Sequence, residues 1–120
     1  MKDSNRATIA YIAGRLINDS KTSSVYDYKR GKHVSVSGDL DANNVNVYNY
    51  EKSCYFSGSG NRDNYNIYNY GDSCYISLEI SGSDFRGYDY GTSSYFSGSV
   101  NNHSISLYDY EKSSYFNYCI

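Results

Sequence analysis

A Tyr-x-Tyr motif returns every twenty residues along most of this chain, and that period constrains its fold more than any other feature. Tyr48-Asn49-Tyr50 recurs as Tyr68-Asn69-Tyr70, Tyr88-Asp89-Tyr90 and Tyr108-Asp109-Tyr110, and an earlier copy, Tyr26-Asp27-Tyr28, precedes the first by twenty-two positions. A unit this short cannot bury a face alone, so neighbouring units must stack on one another.

From residue 24 to residue 120 each unit reads as two short strands joined by turns. Tyr, Val, Ile and Phe suit a half-buried sheet, and the absence of Pro leaves its ladders intact. Alternation assigns the faces. Val47, Ile67 and Leu107 fall on one side of the first strand, and Phe56, Ile76, Phe96 and Phe116 on one side of the second. We read these as the interior, with Gly58 and Gly98 easing a close approach. The phenols face out in three rows: Tyr48, Tyr68, Tyr88 and Tyr108; Tyr50, Tyr70, Tyr90 and Tyr110; and Tyr55, Tyr75, Tyr95 and Tyr115. The two extra residues of the first unit fit most easily into its loop, at positions 39–44.

Residues 1–20 differ from the rest. Ile9, Ile12, Ala13, Leu16 and Ile17 follow helical spacing, with Tyr11, Arg15 and Asn18 on the opposite face. Asp3 or Ser4 can cap the start of this helix, and Asn18-Asp19-Ser20 can end it. The expected fold is all-β: a single-domain β-solenoid of about five coils over 24–120, with like residues stacked ~4.8 Å apart. The amphipathic helix at 1–20 serves as its N-terminal cap. An antiparallel β-meander of hairpin repeats is the alternative; it lacks an obvious second layer to cover its apolar face.

Chemistry is sparse. The Asx row, Asp27, Asn49, Asn69, Asp89 and Asp109, suits side chains that bond backbone at turns. In a solenoid Asp89 and Asp109 would be stacked neighbours and repel. Cys54 and Cys74 share an interior row, without the spacing of a metal or redox motif. His33 occupies the ladder position of Tyr55, and no nucleophile elbow or acid pair appears. No catalytic residue, cofactor or metal is therefore expected.

The formal charge of −2 provides no basic field for nucleic acid, and no apolar run approaches the ~20 residues of a membrane helix. Three cysteines without an export signal point to a cytoplasmic protein, a leaderless exit aside. The expected function is a non-catalytic, rigid interaction module. It pairs with itself, as a dimer, through Phe116, Tyr118 and Ile120 at the C-terminal end or through a tyrosine face. The Tyr ladders resemble those of ice-binding solenoids, with Tyr-x-Tyr where those carry Thr-x-Thr, and a protein, glycan or ice ligand is the alternative. A sugar-acting enzyme on the same scaffold is the third reading.

Overall fold

The computed structural model, which covers residues 1–120, consists of one helix and ten strands. In chain order these are α1 (Asp3–Asn18), β1 (Ser24–Asp27), β2 (Lys32–Leu40), β3 (Asn44–Asn49), β4 (Cys54–Gly60), β5 (Asn64–Asn69), β6 (Cys74–Ser81), β7 (Asp84–Asp89), β8 (Ser94–Asn101), β9 (Ser104–Asp109) and β10 (Ser114–Cys119). Each strand pairs antiparallel with the next, and β10 returns to β1, closing a barrel.

Each repeat is a β-hairpin, not a coil, so the chain is not a solenoid. Tyr48 lies opposite Tyr55 and Tyr68 opposite Tyr75. Equivalent residues of successive units are thus two strands apart, about 10 Å, instead of directly stacked. The repulsion expected between Asp89 and Asp109 loses its basis with the solenoid. The meander is the closer description, and its missing second layer is supplied by closure. A closed sheet has no edge and encloses its own apolar face.

The helix fills that enclosure. Every residue from Asn5 to Gly14 is buried, on all faces of the helix, so α1 is a plug inside the barrel and not a lid on an open end. Eight strands leave a lumen that side chains alone can fill, and ten leave room for a helical backbone with small side chains. Ala7, Ala10, Ala13 and Gly14 provide them. A Cβ on Gly14 would come within 2.7 Å of the δ-methyls of Ile105 and Ile120. The amphipathic reading also fails at Tyr11, which is fully buried. Its hydroxyl donates to the Thr22 carbonyl at 2.6 Å and accepts from Arg15 at 2.9 Å. Neither Asp3 nor Ser4 caps the helix; the cap position is Lys2, with no side-chain bond, and Asp3 instead pairs with Arg6.

Strand parity follows the sequence pattern. Val47, Phe56, Ile67, Ile76, Phe96 and Leu107 line the core, and the repeated tyrosines face outward. At one level of the wall each hairpin sets a glycine opposite an aliphatic residue: Gly38 with Val47, Gly58 with Ile67, and Gly98 with Leu107. In the third the order reverses, and Leu78 faces Gly87. Strands approach so closely here that a Cβ on Gly58 would lie 1.9 Å from the Asn66 carbonyl oxygen, and one on Gly87 2.0 Å from that of Ser77.

The two extra residues of the first unit lie within β2, not in the loop after it. Val34 pairs with Val25 as Phe56 does with Val47, and Val36 pairs with Asn49 as Phe56 does with Asn69. β2 therefore slides by two residues between its neighbours and absorbs the insertion as barrel stagger. The β1–β10 seam is the thinnest junction, with two residue pairs against four to six at every other.

Candidate functional site

The Tyr-x-Tyr motif ends alternate strands, and its middle residue explains its placement. Asn49, Asn69, Asp89 and Asp109 point inward, are buried, and turn the chain. The Asn49 Oδ1 accepts from the amides of Glu51 and Lys52 at 2.8 and 3.0 Å. Asn69 does the same for Gly71 and Asp72, and Asp109 for Glu111 and Lys112. The turn closes on a serine in the left-handed region: Ser53, Ser73, Ser93 or Ser113, at φ of 53–56°. An inward Asx forces the flanking tyrosines outward on both sides, since strand neighbours alternate.

The same residues fix the plug. The Met1 amino group contacts Asp109 at 2.8 Å and Glu111 at 2.5 Å. Asn49 donates to the Thr8 hydroxyl at 2.6 Å, and Asn69 to the Asn5 side chain at 3.2 Å. Arg6, only 1 % exposed, reaches Asp109 at 3.1 Å and lies 3.7 Å over the Phe116 ring. Burial alone would raise the Asp109 carboxyl, but the Met1 amino group and Arg6 overcome it and hold the carboxyl below its ordinary range. On the rim, burial also opposes ionisation of Glu51, yet Lys32, Arg30 and Ser4 bring it down to about 2. Asp72 is lowered in the same way, against burial, by Asn5, Lys2 and Lys52.

Outside this rim the three tyrosine rows converge into triads. Tyr48 packs edge-on against Tyr50 at 4.9 Å and Tyr55 at 4.8 Å. Tyr68 meets Tyr70 and Tyr75, Tyr88 meets Tyr90 and Tyr95, and Tyr108 meets Tyr110 and Tyr115, all within 4.7–4.9 Å. In the first unit His33 replaces the third ring and packs on Tyr26 at 4.8 Å. The central ring of each triad is half-buried by its partners, and the outer two are exposed. Edge-to-face packing of this kind contributes ~0.5–1.5 kcal/mol per pair beyond area burial. Five rigid aromatic ridges therefore girdle one end of the barrel.

Shallow grooves separate the ridges. One has a floor of Ser57, Gly58, Ser59 and Asn66 and a wall of Tyr68, Tyr70 and Tyr75. The outward side chains beyond the tyrosines are mostly Asn and Ser. Charged exceptions are Asp39, Asp84 and the pair Glu79–Arg86, joined across β6 and β7 at 2.6 Å. A pair of acids is the sign sought in the sequence, and this pair is one acid and one base. The signal was present: these two positions carry Ser or Asn in the second hairpin, as Ser59 and Asn66.

The structure places Phe116 and Tyr118 in the core rather than at a free end, because β10 closes the barrel on β1. Ile120 is half-buried against the plug. Self-association at the C-terminal end therefore has no apolar surface to use from Phe116 or Tyr118. Cys54 and Cys74 are free and half-buried, and burial pushes both thiols up. Each sits against a glycine of the next turn: a Cβ on Gly71 would fall 2.8 Å from the Cys54 sulfur, and one on Gly91 2.7 Å from that of Cys74. No group of three or more His, Cys, Asp or Glu side chains is arranged to hold a metal ion. No helix is long and apolar enough to cross a membrane.

Fold and site together define a class: a hairpin-repeat β-barrel, plugged by its own N-terminal helix and girdled by tyrosine. Comparison with protein-family models, curated proteins and solved structures finds no significant match.

Proposed function

We propose that this chain is a non-catalytic scaffold whose tyrosine girdle binds a second copy of itself. The observation that carries this reading is the alternation of ridge and groove around the wall. Each ridge presents two exposed rings, and the groove beside Tyr68, Tyr70 and Tyr75 is floored by Ser57, Gly58, Ser59 and Asn66, side chains small enough to admit a ring. Ridge and groove recur with the same hairpin spacing, so the surface is complementary to its own copy, as a two-fold contact demands. Tyrosine suits such a contact, since it brings large area at low entropy cost and keeps a polar tip. The closed sheet offers no strand edge, which leaves side chains as the means of association.

A glycan ligand is the second reading, favoured by the polar floors beneath aromatic walls. The curvature of the girdle weighs against an ice-binding plane. The test is molar mass by light scattering over a wide concentration range. The quadruple variant Tyr50→Ser, Tyr70→Ser, Tyr90→Ser, Tyr110→Ser changes exposed rings only and is expected to keep the barrel. Concentration-dependent dimerisation that the variant loses supports the reading. A monomeric wild type, or dimers unchanged in the variant, refutes it.

A further inference from the structure

One sector of the wall departs from the repeat in a way that self-association does not use. Two depressions of about 540 and 400 Å³ adjoin each other across β6, β7 and β8, and Glu79 and Arg86 line both. One is walled by Tyr115 and the other by Tyr88 and Tyr95. Tyr95 and Tyr115 are the most exposed rings of the molecule, at 65 % and 69 %. Between them the floor is hydroxyl-rich: Ser97, Ser99 and Ser106 face the first depression, where Gly98 leaves bare backbone. Arg86 gives its Nε–H to Glu79 across two strands, while the rest of the guanidinium stays open to solvent.

We infer that this double depression is a binding site for a neutral pyranose chain, with one sugar unit on either side of the Glu79–Arg86 pair. The exposed faces of Tyr95 and Tyr115 offer the aromatic platforms on which the C–H face of a pyranose packs. The guanidinium donors, the Glu79 carboxylate and the serine hydroxyls supply the mixed donors and acceptors that sugar hydroxyls require. Charge selects the class. Glu79, Arg86 and Asp84 leave the first depression with an excess of one negative charge, which disfavours uronates, sulfated sugars and phosphates. The groove is open and shallow, so millimolar to high-micromolar affinity is expected for a short oligosaccharide.

The experiment is an amide NMR titration of the full chain with cellotetraose, maltotetraose, mannotetraose, chitotetraose and, as the anionic control, trigalacturonate. Saturable shifts confined to the residues lining the two depressions, from at least one neutral tetrasaccharide and not from trigalacturonate, are the expected result. Tyr115→Ala and Arg86→Ala should each weaken that binding by about tenfold or more. Both side chains are exposed, and preserved amide dispersion will show that the variants are folded. Silence from all four neutral sugars, preference for trigalacturonate, or binding unchanged in both variants overturns the assignment. Light scattering reads self-association separately, so either proposal can fail while the other stands.

Discussion

The reversed glycine in the third hairpin makes the wall packing testable by exchange. Leu78 is buried to within 1 % of full enclosure and faces Gly87. Leu78→Gly alone removes a whole core side chain and leaves a cavity, a loss of ~3–5 kcal/mol, with strand flexibility adding to it. In Gly87→Leu alone the new Cβ meets the Ser77 carbonyl oxygen at 2.0 Å and the Phe96 ring at 2.5 Å. Overpacking of that kind costs ~1–3 kcal/mol or more. If the two sites were independent, the double variant would lose ~4–8 kcal/mol, close to the whole stability of a typical domain. The other hairpins show that glycine works equally well on the earlier strand, as with Gly58 opposite Ile67 and Gly98 opposite Leu107. The double exchange should therefore fall within ~2 kcal/mol of the wild type, with a coupling energy of at least ~2 kcal/mol. Urea unfolding followed by tyrosine fluorescence and circular dichroism measures all four corners of the cycle, with constant m confirming two-state behaviour. Additive losses would show that the glycine–aliphatic pairing is incidental, and the account of the wall would fall.

Other expectations rest on single features. Arg6→Met should cost ~2–3 kcal/mol, less than the ~3–5 kcal/mol of an orphaned buried charge, because the Met1 amino group still faces Asp109; an unchanged urea midpoint would refute it. Glu51 titrates at about 2 in the folded state, below its unfolded value of ~4.3, so its contribution is whole above that value and is lost as pH falls toward 2. Glu51→Gln should flatten the acid limb of a stability–pH profile, and an unaltered limb counts against the rim network. Ser93→Gly, at φ 53°, should raise the melting temperature slightly by relieving a left-handed residue, as Gly31 does in the first hairpin; a clear loss would refute this. Deleting residues 1–20 should abolish the cooperative thermal transition, because the lumen loses its filling, and a soluble truncation that melts cooperatively would show the plug to be dispensable.

Much of the wall is legible in the sequence. Parity alone separates Val47, Ile67 and Leu107 from the outward tyrosines, because side chains alternate along any strand. What parity cannot decide is whether Tyr48 meets Tyr68 or Tyr55, since a hairpin and a coil of twenty residues share one period. The plug is legible in retrospect. Ala7, Ala10 and Gly14 form a second, small-residue face away from that of Ile9, Ile12 and Leu16, whereas an amphipathic cap needs only one apolar face. The triads join rows that look separate in sequence, because the turn folds Tyr55 back over Tyr48. Glu79 and Arg86 are seven residues apart, and only the hairpin at Gly82 brings them together.

A helix enclosed on every side must be in place before the ring shuts. Its residues precede every strand in the chain, yet the strand that completes their enclosure, β10, comes last of the ten and is held to β1 by only two residue pairs. Folding is thus expected to wait on a contact between distant parts of the chain, which slows it. Once the barrel is shut, that seam is the weakest stretch of the wall around the helix.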